Sequence, residues 1–171
     1  MNGKRLKRQE KGAGARVRAI LGHGILLLAV LTILLGRNQY FLVRGMSMVP
    51  TLQEGDELQY CHFQQPQYGD MVVFRSAYGL VVKRLIGLPG DVIRVDPDGS
   101  VTRNGRLLEE PYAEFDALCN SGMAEIVVGE RSFFVLGDNR GTSVDSRDSR
   151  VGQIPASEVF GVVTHVAHTF D

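Results

Sequence analysis

Three short stretches carry residue types that can do chemistry together. Ser47 lies in Met46-Ser47-Met48-Val49-Pro50-Thr51-Leu52, and Lys83 lies in Gly79-Leu80-Val81-Val82-Lys83-Arg84-Leu85-Ile86. Further on, Gly137-Asp138-Asn139-Arg140 leads into Ser143-Val144-Asp145-Ser146-Arg147. A serine hydroxyl is a weak nucleophile until a base accepts its proton. A lysine can be that base only while its amine is neutral, and burial among apolar side chains favours the neutral form. Read as a strand, the second stretch puts Val81, Lys83 and Leu85 on one face and Arg84 on the other. Alone, Lys83 reads as an edge-strand lysine snorkelling to water, and Ser47 as a loop or capping serine. Together with the Gly-Asp-Asn-Arg turn they point to hydrolytic Ser-Lys chemistry, a variant of the serine-nucleophile theme.

The elements that must hold these residues read as β structure. Runs rich in Val, Ile, Phe and Leu recur between Gly, Pro, Asp and Asn turns, at residues 71–74, 80–86, 91–95, 132–136 and 159–165. Asp98-Gly99 and Asn104-Gly105 are hairpin-turn signals and predict a small hairpin over about residues 92–108. Pro50 presets φ just after Ser47, and Gly87, Pro89, Gly90 and Asp91 read as turn residues. Residues 109–130, with mixed composition and weak periodicity, read as an irregular excursion or small subdomain. With no convincing amphipathic helix after residue 37, the expectation is a mostly β domain over residues 37–171.

Charge is distributed unevenly along the 171 residues, although the formal net charge is zero. Residues 1–18 carry Lys4, Arg5, Lys7, Arg8, Lys11, Arg16 and Arg18 against Glu10 alone. Residues 37–171 carry twelve Lys/Arg against eighteen Asp/Glu, a balance of minus six. Between them, residues 19–36 (AILGHGILLLAVLTILLG) contain no Asp, Glu, Lys or Arg. As a helix, that span covers about 27 Å, enough for a bilayer core. It lacks the polar face of a core helix and the small-x-small site that would end a cleaved leader, so an uncleaved transmembrane anchor is expected. No functional role is assigned to His23 within it. The positive-inside rule places the basic tail, residues 1–18, in the cytoplasm and everything after Arg37 outside. Tyr40 and Phe41 read either as interfacial aromatics or as the start of the first strand. In an oxidising compartment Cys61 and Cys119 are either a disulfide or two free thiols, and neither has the context of a zinc site.

In combination these residues resemble bacterial type I signal peptidases. The resemblance runs from the anchor to Ile154-Pro155. It rests on Ser47-Met48-Val49-Pro50-Thr51-Leu52, Gly69-Asp70-Met71-Val72-Val73-Phe74, residues 83–91, and Gly137-Asp138-Asn139-Arg140 with Ser143, Asp145, Ser146 and Arg147. What it implies is a signal-peptidase-like β domain on one N-terminal transmembrane helix. Ser47 would be the acyl-forming nucleophile, Lys83 its general base, and Ser143 the hydroxyl that orients the lysine. Asp145 and Arg147 would be a supporting charged pair, with Asp138, Asn139 and Arg140 shaping the turn that delivers Ser143. The Ser47 N–H would donate to the oxyanion. Gly45 stands where some members carry a serine whose hydroxyl adds a second donor; other members lack that hydroxyl as this chain does, and the identity of the second donor stays open. The stretch between Leu108 and Arg131 is short beside that of large members, which implies a reduced accessory region.

The resemblance also implies a substrate, the signal peptides of exported preproteins. An extended peptide would add as a strand beside residues 80–83 and the segment before Ser47. Phe41, Val43, Met48, Leu52, Val81 and Val82 would wall shallow pockets for small residues one and three positions before the cut. Each of these apolar residues, taken singly, reads equally as core. Membrane lipid is the other expected partner; no cofactor, metal or nucleic acid is expected. Two alternatives stay open: a maturation protease dedicated to a conjugation or pilus system, and a non-catalytic β module that binds extended peptides.

Overall fold

The computed structural model describes residues 21–28, 30, 38–115 and 122–169. The chain forms two units, Met1–Arg37 and Asn38–Asp171. In the first, residues 21–28 and 30 are helical. The expected anchor over residues 19–36 lies partly outside the described residues, as does the basic tail. No described helix is long and apolar enough to cross a membrane.

The second unit is built from strands: β1 (Asn38–Leu42), β2 (Glu57–Cys61), β3 (Met71–Ser76), β4 (Gly79–Gly87), β5 (Val92–Val95), β6 (Val101–Arg103), β7 (Arg106–Leu107), β8 (Met123–Val127), β9 (Ser132–Leu136), β10 (Ile154–Pro155) and β11 (Val159–Ala167). The large sheet runs β1-β2-β11-β3-β4-β9-β10 and the small one β7-β6-β5-β8, with antiparallel pairing between neighbours. The mostly β expectation is met. All five expected strands form, and both hairpin signals fall at turns, between β5 and β6 and between β6 and β7. Asn104 and Gly105 both adopt positive φ, +52° and +76°, as a tight two-residue turn between paired strands requires. β1 starts at Asn38, so Tyr40 and Phe41 are strand residues. The stretch read as an excursion contributes β8, which pairs with β5; Cys119 lies outside the described residues, and Cys61 is a buried free thiol.

Side-chain alternation builds the core on both faces of the large sheet. Val72, Phe74, Leu85, Phe133, Val135, Ile154 and Val162 form one cluster. Val73, Val82, Leu58 and Tyr60 point the other way and pack with Val43, Met48 and Leu52. A third cluster, including Ile86, Phe134, Leu136, Ile93 and Val101, joins the two sheets. At that junction Gly87 is required: a Cβ there would stand 2.9 Å from Val128 and 3.0 Å from both Ile93 and Phe134.

Candidate active site

Ser47 is held by the core residues that follow it. The turn after β1 closes through the Leu52 N–H donating to the Met48 carbonyl at 2.9 Å. That i to i+4 contact aligns Met48 and Leu52, and both side chains sink fully into the core. The loop therefore cannot slide without uncovering two large apolar side chains. Asp138 ties it to β4: the Thr51 hydroxyl donates to its carboxylate at 2.5 Å, and Arg84 clamps the same carboxylate from Nε at 2.8 Å and from a terminal nitrogen at 2.5 Å. Arg84 also donates to the Gly69 carbonyl and lies 3.9 Å from the Tyr112 ring centre.

Lys83 occupies the alternate face of β4, as its position beside Val81 and Leu85 predicts, and only 5% of it is exposed. Its Nζ donates to Ser47 Oγ at 2.5 Å and to the Val82 carbonyl at 3.1 Å. Burial pulls the lysine pKa from 10.5 down to about 8, against the opposing pull of the Asp145 and Asp138 carboxylates. An amine with that value is deprotonated in an appreciable fraction of molecules close to neutrality, whereas an ordinary lysine is not. Asp145 is fully buried and bidentate with Arg147, each contact at 2.8 Å, and it accepts the Gly137 N–H at 2.9 Å.

The loop after β9 meets the Ser47 loop through backbone. Asn139 donates its N–H to the Ser47 carbonyl and accepts from the Ser143 N–H, both at 3.1 Å. Arg140 is buried, bridging the Gly137 carbonyl and Glu110. Asp138, Asn139 and Arg140 thus shape the turn that carries Ser143. The Ser143 hydroxyl is buried and has no hydrogen-bond partner, so it does not touch the Lys83 amine in this arrangement. It packs against Gly137, where a Cβ would fall 2.2 Å from Ser143 Oγ and 2.4 Å from the Ser47 carbonyl.

The apolar residues assigned to substrate pockets divide. Val43, Met48, Leu52 and Val82 belong to the core cluster, with Phe41 packed against it. Phe41, Val81 and Val82 also line a cavity of ≈180 Å³ together with Leu42, Arg44 and Leu80. Among the described residues the Ser47 N–H has no hydrogen-bond acceptor. Gly45 takes φ +84°, a conformation that a serine at that position would strain to adopt. No group of three or more His, Cys, Asp or Glu among the described residues is placed to hold a metal.

Sequence reasoning did not single out Thr51, Glu110 or the Arg84–Asp138 clamp. Arg84 and Asp138 sat inside recognised motifs, but their pairing spans 54 residues and no local spacing announces it. Glu110 gave no signal, because its partner Arg140 lies thirty residues away.

Comparison with known proteins identifies the family of the chain. The family described as signal peptidase, peptidase S26, matches residues 16–167. Signal peptidase I of Bacillus licheniformis is 34% identical over 163 residues, spanning 85% of this chain and 87% of that protein. Signal peptidase I U of Bacillus subtilis is 30% identical over 185 aligned positions, 99% of this chain and 96% of that protein. A crystal structure of a signal peptidase I from Enterococcus faecalis aligns with a TM-score of 0.47 at 33% identity, over 59% of this chain and 98% of that one. A match that runs through both the Ser47 and the Ser143 loops at such coverage places the chain in the signal peptidase family, peptidase S26.

Proposed function

We propose that this protein is a membrane-anchored serine endopeptidase that removes signal peptides from exported preproteins with Ser47 as nucleophile and Lys83 as general base. The observation that carries the reading is the 2.5 Å contact between a buried Lys83 amine and the Ser47 hydroxyl. The depressed lysine pKa lets the neutral amine take the hydroxyl proton as Ser47 attacks the scissile carbonyl. The unbonded Ser47 N–H supports the developing oxyanion. The unpartnered Ser143 hydroxyl is available to hold the Lys83 amine as the serine turns toward the substrate. Asp145 and Arg147 brace that loop. The cavity bordered by Phe41, Val81 and Val82 takes small leader residues. Residues 19–36 anchor the chain, with residues 1–18 in the cytoplasm and the β domain outside.

The test is cleavage of a precursor with Ala one and three positions before the cut, by detergent-solubilised protein. Ser47→Ala and Lys83→Ala should each abolish it with little loss of fold, and the double variant should be no worse than either, because residues acting as one unit are strongly non-additive. Near-wild-type turnover in either single variant removes that residue from the mechanism.

A further inference from the structure

Beyond the expected pockets, the cavity near Ser47 holds one charged residue. Residues 79–83 of β4 pair with β3 on one side. On the other side β9 covers only Arg84, Leu85 and Gly87, so the first half of β4 offers an unpaired backbone edge. Across the cavity stands the segment from Phe41 to Arg44, three residues short of Ser47. Five of the six lining residues are apolar; Arg44 is the sixth. Its side chain is exposed and, among the described residues, makes no ion pair or hydrogen bond. The other arginines close to the site, Arg84, Arg140 and Arg147, are all held by buried carboxylates.

An extended peptide that pairs with the free edge of β4 alternates its side chains. On the proposed function, the residues one and three positions before the cut turn toward the apolar wall. The residue between them turns to the opposite face, the one on which Arg44 is exposed while its neighbour Val43 is buried. We propose that Arg44 is a specificity residue that pairs with a carboxylate side chain at the second position before the cut. This inference rests on the proposed function and deepens it: among leaders with the same small residues, the protein favours those carrying Asp or Glu between them.

The experiment uses the full-length protein in detergent and two precursors, both with Ala one and three positions before the cut, one with Glu and one with Lys between them. The wild type should favour the Glu precursor about fivefold in kcat/KM at low salt, as befits an ion pair open to water, and less at high salt. Arg44→Gln should bring the ratio near one, and Arg44→Glu should reverse it. Equal rates by the wild type would overturn the assignment while leaving the proposed function standing. A Glu preference that survives in Arg44→Gln would overturn it too, by moving the selectivity to another residue. Cleavage of neither precursor by the wild type would sink the proposed function, and this inference with it. If Arg44→Glu slows both precursors equally and only on anionic vesicles, Arg44 serves the lipid surface and the assignment fails.

Discussion

The Lys83 amine is where burial becomes chemistry. Its folded pKa, about 8, lies below the ordinary 10.5 because desolvation outweighs two nearby carboxylates. In kcat/KM the free enzyme should therefore show an acid limb near pH 8, with activity rising as the ammonium loses its proton. A limb near 10.5, or none, would remove Lys83 as base. Asp145→Asn takes away a charge that favours the ammonium, so the limb should move to lower pH. It should also destabilise the fold, since Arg147 loses the buried carboxylate that it contacts at 2.8 Å. Linkage gives Lys83 a stability signature of definite sign. Between the folded and unfolded pKa values the unfolded chain binds the extra proton, so stability rises with pH across about 8 to 10.5. Above that window the penalty is absent; below it the full cost, on the order of 3 kcal/mol, is present. Lys83→Met should be inactive and at least as stable as wild type at neutral pH by denaturant titration. A marked loss of stability there would make Lys83 a charged structural residue.

At the scale of elements, the site is a meeting of two loops over one strand, and Gly137 is the seam. A Cβ at Gly137 would overlap the Ser143 hydroxyl and the Ser47 carbonyl at once, so both loops would have to move. Gly137→Ala should abolish precursor cleavage, and overpacking should cost about 1–3 kcal/mol. Full activity in that variant would mean that the Ser47 and Ser143 loops need not touch. The strands that carry the site were legible because their patterns are local: β4 declares itself by a run of Leu, Val and Ile, and the hairpin by Asp-Gly and Asn-Gly. β2 was not, since Leu58 and Tyr60 alternate with Glu57 and Gln59 across only five residues, too short a pattern to stand out even behind the Gly55-Asp56 turn. β8 was missed because residues 123–127 are largely exposed at the edge of the small sheet and carry no strong apolar stripe. Ser47, Lys83 and Ser143 stood out as motif residues. The reason for Gly137 did not, because the clash it avoids is with residues that are distant in sequence or across a turn.

For the whole molecule, the division of labour between chemistry and membrane follows from where the groups lie. Ser47, Lys83, Ser143, Asp145 and Arg147 all belong to the unit that starts at Asn38, and so does the lining of the cavity beside them. Nothing the proposed mechanism uses comes from residues 1–37, whose composition instead suits a bilayer and its cytoplasmic face. Seven Lys/Arg against one Glu before the uncharged span should hold the tail inside. The acidic excess of residues 37–171 adds little to orientation, because long segments translocate largely regardless of charge. Protease added to intact spheroplasts should therefore digest the β domain while a tag at the N-terminus survives. Digestion of the tag with protection of the domain would invert the topology and put the site on the wrong side for exported substrates. Exchanging the basic residues of the tail for Glu or Gln weakens only the orienting force. It should raise the inverted fraction in that assay while leaving the acid limb of the detergent-solubilised protein near pH 8. An inverted fraction that stays unchanged would remove the charge of the tail as the orienting force.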